Sequence, residues 1–194
     1  MKSQVPEAMT IRARVLGSSP RLGARVAGVL YFVSLLTAAS GELLLRGKLS
    51  IAAGLIAVVG MAAMSLLVYA VFKYVNRTVS GLAVVFSLVG LTFEALRLNP
   101  RGVDIALVFH GFYCLGIGYL IFRSGLLPRF FSMSIVLAGC AWLSFLSPGL
   151  SDAISPYNQA AGVSGEAAAM LWFVVRGVSA RPWNVPASAV GVWR

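Results

Sequence analysis

Six times along this chain an apolar run of roughly twenty residues is cut by a short turn carrying Arg, Lys, Gly or Pro, and nothing else in the sequence restricts its fold as much. About 20 residues rising 1.5 Å each cross the hydrocarbon core of a bilayer as an α-helix. The runs read as Arg25 to Leu45, Leu49 to Phe72, Thr78 to Leu98, Val103 to Phe122, Phe130 to Leu146 and Gln159 to Val178. A segment in lipid must satisfy its backbone polar groups internally, so the expected fold is all-α: one polytopic bundle of about six transmembrane helices.

Composition leads the same way. Of 194 residues, 59% are hydrophobic and 11% charged, which is more apolar surface than a soluble domain of this length buries. The formal charge of +10 does not point to nucleic acid, because no folded soluble surface remains to carry a basic patch and the arginines punctuate the spans. The expected division is a basic cytoplasmic tail over 1–24, a six-helix transmembrane domain over 25–178, and a second cytoplasmic tail over 179–194. The first run comes too late and is too long for an ordinary signal peptide. Cys114 and Cys140 fall inside apolar runs and read as unpaired packing residues.

Basic residues set the expected orientation. The first tail through Arg25 carries five, the second-to-third and fourth-to-fifth turns two each, and the last tail from Arg176 three. The other side has four, Arg46, Lys48, Arg97 and Arg101. Twelve against four predicts that both termini of this multi-pass chain are cytoplasmic.

With that orientation every acid except Glu7 and the loop residue Asp152 belongs to the outer half of a span, which predicts a one-sided polar site. His110 comes six residues after Asp104, about 9 Å, and Glu166 seven after Gln159, about 10 Å. Their depths match, so an imidazole and a carboxylate converge if the fourth and sixth helices face one interior. Glu166 and His110 are the candidate catalytic pair. Glu42, Glu94, Arg97, Arg101 and Asp104 form the expected ligand-binding rim, with Tyr113 and Trp172 beneath it. Ser80, Ser87 and Glu94, spaced by sevens, share a stripe with Gly90 and Arg97. Ala53, Ala57 and Gly60, and likewise Ala161, Gly165 and Ala169, form stripes on which helices can approach closely.

Blander accounts exist for two of these groups. Glu94 and Arg97 at i, i+3 are compatible with an ion pair at the headgroups, and His110 with a hydrogen bond to a neighbouring carbonyl. Glu166 is harder to dismiss, because Gly165, Ala167, Ala168 and Ala169 offer it no polar partner and an intramembrane acid is a functional hypothesis by default. One histidine and two separated cysteines do not build a usual zinc site, so no metal is expected. Phosphate loops, nucleophile elbows and haem-binding His pairs are absent, and no cofactor is expected.

Several stretches carry a resemblance: Ala24 to Tyr31, Glu42, His110 to Gly118, the loop Arg123-Ser124-Gly125-Leu126-Leu127-Pro128-Arg129, Gly139, and Gly165-Glu166 with Trp172 and Gly177. Together they resemble the bacterial integral-membrane family of unknown function DUF4386, over about Arg21 to Gly177. That resemblance implies a small multi-pass protein of the bacterial inner membrane and carries no catalytic residue over. The expected partners are membrane lipids and an amphipathic or lipid-like small molecule. The rival readings are a small membrane enzyme doing acid-base chemistry on an isoprenoid, with Phe109, Phe112, Tyr113, Trp142 and Trp172 lining its cavity, and a proton-coupled transporter relaying through Glu166 and His110.

Overall fold

The structure, a computed structural model, describes residues 20–178 without the side chains of Pro20 and Arg101. The expected tails, 1–24 up to residue 19 and 179–194, lie outside the described residues, as does the side-chain role assigned to Arg101. Among the described residues there are seven α-helices and no strand: α1 (Pro20–Leu43), α2 (Lys48–Phe72), α3 (Arg77–Ala95), α4 (Ile105–Ser124), α5 (Arg129–Leu143), α6 (Pro148–Ile154) and α7 (Tyr157–Arg176).

Helices α1 to α5, the last extended by the 3-10 turn Ser144–Leu146, are long and apolar enough to cross a membrane. The protein is a multi-pass membrane protein. Its lipid-facing surface is what water would not tolerate: Val59 is 68% exposed, and Leu36 and Leu137 are 66% exposed. Helix α7 has 20 residues but falls short in apolarity, since Asn158, Gln159 and Glu166 interrupt it.

Each long helix packs on the next, α1 on α2 and so on to α5, and α7 packs on both α5 and α1, closing a ring of six. Small residues permit the close contacts. Gly111 of α4 and Gly139 of α5 meet so tightly that a Cβ on either one would lie 3.0 Å from the carbonyl oxygen of the other. On α2, Ala53 and Ala57 are buried, and a Cβ on Gly41 of α1 would lie 2.9 Å from that of Ala53. The α7 stripe is displaced by one position from its expected place. Ala161 is exposed, and Gly162 packs inward with Gly165 and Ala169.

Helix ends follow cap chemistry more than hydropathy. Asn76 caps α3 by accepting the Val79 N–H at 3.0 Å, and Asp104 caps α4 by accepting the Leu107 N–H at 3.2 Å, so α4 starts two residues later than its apolar run. At the other end of α3 the helix stops at Ala95, and Arg97 takes a left-handed φ of 51°. Arg97 is therefore off the expected Ser80 to Glu94 stripe; Ser80, Ser87 and Gly90 are buried, whereas Glu94 and Arg97 are exposed. No ion pair joins Glu94 to Arg97 among the described residues. The loop expected from Leu150 to Asn158 contains the helix α6, entered through Pro148 at its first position.

The core occupies one end of the ring. Phe72, Leu120, Ile121 and Phe173 are fully or almost fully buried there, beside the α2–α3 and α4–α5 connections. Across the middle, Ser87 bonds to Ser65 at 2.7 Å and Ser80 donates to the Tyr69 carbonyl at 3.5 Å, tying α2 to α3. Beyond Ser87 both helices line a cavity.

Candidate functional site: a polar cluster at the floor of a one-ended cavity

The cavity has a volume of about 640 Å³ and reaches from the α1–α2 and α3–α4 connections to mid-bundle. Glu42, Glu94, Arg97, Asn99 and Asp104 stand around its mouth. The carboxylates of Asp104 and Glu42 are near enough to repel that of Glu94, and Arg97 partly offsets them. Apolar and small groups of α1 and α2, among them Leu35, Ala38, Gly54, Leu55 and Met61, make the wall. Tyr31, His110, Trp142 and Glu166 form the floor.

Glu166 is 4% exposed, and its polar partners come from three other helices. His110 Nε2 of α4 lies 3.0 Å from both carboxylate oxygens, and because an ionised carboxylate only accepts, an imidazole N–H donates there. Trp142 Nε1–H of α5 donates to Oε1, and the Cys114 thiol of α4 donates to the same oxygen at 3.4 Å. The Tyr31 phenol of α1 is a further neighbour of the carboxylate. Three donors on one buried acid meet the condition under which a charge survives in a low-dielectric interior. Among the described residues no carbonyl bonds to His110; its ring stacks on Tyr113 at 5.5 Å between centroids and meets Trp142 edge-on at 6.1 Å.

Two expected residues lie elsewhere. The Tyr113 hydroxyl points to Met64 Sδ at 3.6 Å inside the core, away from the cavity. Trp172 sits on the far half of α7, packed on Phe131 at 5.1 Å and covered by the Arg176 guanidinium at 5.4 Å. Phe109 and Phe112 pack with Phe86 along the α3–α4 seam, leaving Trp142 as the one member of the expected aromatic lining that reaches the cavity.

Sequence reasoning missed Cys114, Tyr31, Ser34 and the tie from Trp142 to Glu166. A signal for Cys114 was available, since it follows His110 by four residues and so shares its helix face. Ser34 had no such signal. It lines the cavity at 3% exposure and has no hydrogen-bond partner among the described residues. Cys114 is buried, Cys140 is exposed, and both are free.

Residues 91–177 match the family model described as Domain of unknown function (DUF4386). That segment runs from within α3 to the residue after α7 and contains His110, Cys114, Trp142 and Glu166, while α1 and α2, which supply much of the cavity wall, precede it. No curated protein and no solved structure matches the chain.

Proposed function

For a multi-pass membrane protein that carries the DUF4386 domain over residues 91–177, we propose binding of an amphipathic, lipid-like molecule in the one-ended cavity. The observation that carries this reading is the cavity itself. About 640 Å³ lies within the usual range for small-molecule sites, roughly 300 to 1,000 Å³, and its wall is apolar between two polar zones. A ligand with an apolar body and a polar group satisfies both zones. The group at the floor meets Tyr31, His110 and the unpartnered Ser34 hydroxyl, and the body displaces water from Leu35, Leu55 and Met61. Burying a methylene is worth about 0.8 kcal/mol, so a short chain supplies several kcal/mol.

The twelve-to-four distribution of basic residues supports an orientation in which the cavity opens outward, in the inner membrane of a bacterium, with both termini cytoplasmic. In this reading the ligand comes from the outer leaflet or the space beyond it.

Mass spectrometry of small molecules retained through purification in mild detergent tests the proposal. The native protein should carry one amphipath in near-stoichiometric amount. Gly54→Phe should lose it, because a Cβ at Gly54 meets nothing within 4 Å and a ring there fills the cavity without disturbing the helix contacts. An empty native protein, or equal retention by Gly54→Phe, would refute binding in this cavity.

A further inference from the structure

We infer that His110, Cys114 and Glu166 form a binding site for a borderline divalent transition ion of the Zn²⁺ type, with its open coordination position facing the cavity. The ligand atoms Nε2, Sγ and a carboxylate oxygen all lie within 4.8 Å of one another. Nitrogen, thiolate and carboxylate oxygen are the three donor types that zinc accepts, and sites with three protein ligands keep the fourth position for water or substrate.

The spacing fits an ion. Bonds of about 2.0 to 2.3 Å in tetrahedral geometry set ligand atoms roughly 3.3 to 3.8 Å apart. Here Sγ and Oε1 are 3.4 Å apart, and Nε2 is 3.0 Å from each carboxylate oxygen. Seating the ion requires the imidazole and carboxylate to part by a few tenths of an ångström and the imidazole and thiol, which lie within 4.8 Å of each other, to settle into the same range. His110 and Cys114 sit four residues apart on α4, so one rigid helix face presents two ligands and α7 brings the third.

Charge favours the ion as well. A thiolate and a carboxylate neutralise a divalent cation, and a neutral imidazole adds nothing, so the occupied site has no net charge within the membrane-spanning bundle. On binding, the Cys114 thiol releases its proton to the cavity, and the imidazole offers its Nε2 lone pair with its proton on Nδ1. Trp142 Nε1–H also donates to Oε1 and so fixes the orientation of the carboxylate, the kind of outer hydrogen bond that orients metal ligands. His110 and Glu166 line the cavity, and that places the open position toward it.

The inference does not depend on an amphipath entering the cavity, since ion uptake is read directly. Protein purified in detergent without chelator is assayed for bound metals by inductively coupled plasma mass spectrometry, then stripped and titrated with Co²⁺. One ion per chain and a thiolate-to-cobalt charge-transfer band in the near ultraviolet are expected. Cys140→Ser should leave the band unchanged. Cys114→Ser should abolish it, and Glu166→Gln should weaken Co²⁺ affinity at least tenfold. Failure to take up Co²⁺ or Zn²⁺, or a band that survives Cys114→Ser, would overturn the inference. If Cys114→Ser does not give a monodisperse protein, the native and Cys140→Ser spectra decide, because a thiolate band in the absence of Cys140 comes from Cys114.

Discussion

Replacing Glu166 by glutamine and by leucine should produce two distinct losses of stability, and the difference measures what the acid does for the bundle. In Glu166→Gln the amide oxygen still accepts from Trp142 and Cys114, and the amide NH₂ donates to His110 Nε2 once the imidazole takes its other tautomer. Charge assistance alone is lost. Hydrogen bonds to charged groups contribute about 1.5 to 3 kcal/mol and neutral ones about 0.5 to 1.5, and relief from burying a charge offsets much of the loss summed over the three bonds, so the expected net cost is about 1 kcal/mol. Glu166→Leu orphans three donors. Trp142, 7% exposed, is the more deeply buried of the two rings, while the His110 side chain, 20% exposed, can turn to the cavity. Membrane hydrogen bonds average only about 0.6 kcal/mol, which for three bonds gives roughly 2 kcal/mol. At about 2 to 4 °C per kcal/mol for a chain of this size, Tm in detergent should fall by roughly 2 to 4 °C in the glutamine variant and 4 to 8 °C in the leucine variant. The double variant His110→Leu/Glu166→Leu should be no less stable than Glu166→Leu alone, because replacing both members of a buried pair is commonly neutral or favourable. A leucine variant as stable as the glutamine one, or a double variant showing the sum of its single losses, would refute the cluster as a stabilising unit.

Gly162→Ala should cost about 1 to 3 kcal/mol, because the new Cβ would lie under 3 Å from the Trp142 ring and push it off Glu166; Gly81→Ala, where a Cβ meets nothing within 4 Å, should be neutral or slightly stabilising in the same melting assay. A reporter enzyme active only in the periplasm, fused after Arg194, should be silent, and activity there would invert the cavity to the cytoplasmic side.

The helices were legible because lipid imposes length and apolarity on every span, and those are properties of a run of residues. Depth was legible for a related reason: the rise per residue is fixed, so counting from Asp104 and Gln159 placed His110 and Glu166 at one level, and the structure has them 3.0 Å apart. Azimuth was not legible to the same degree. One position on a helix is a rotation of about 100°, so Gly162 faces inward while Ala161 faces out, and Tyr113, three residues from His110, points into the core and not the cavity. Ends were misplaced where a side chain acted on backbone: Asp104 was read as a rim charge alone and is also a cap, and the left-handed turn at Arg97 has no mark in hydropathy. The zinc exclusion counted His and Cys only, whereas the cluster mixes one of each with a carboxylate from a helix 56 residues away.

The same cluster bears on how α7 comes to lie in a membrane at all. It is the one long helix too polar to qualify as a span, yet it closes the ring against α1 and α5. A charged residue near a helix centre costs roughly 2.5 to 3.5 kcal/mol on insertion scales, and α7 carries Glu166 there with Asn158 and Gln159 at its entry. Its polar groups are taken up by neighbours. Asn158 donates to the Ser144 hydroxyl at 3.1 Å and to the Ser151 carbonyl at 3.5 Å, Ser134 Oγ donates to the Gly165 carbonyl at 3.3 Å, and Glu166 collects its donors from α4 and α5. All of these partners precede α7 in the chain, so the segment through α6 can present a finished polar surface before α7 enters. The groups that make the cavity floor polar are thus the groups that hold the last helix in place, and a variant that empties the floor is expected to loosen α7 before any other helix.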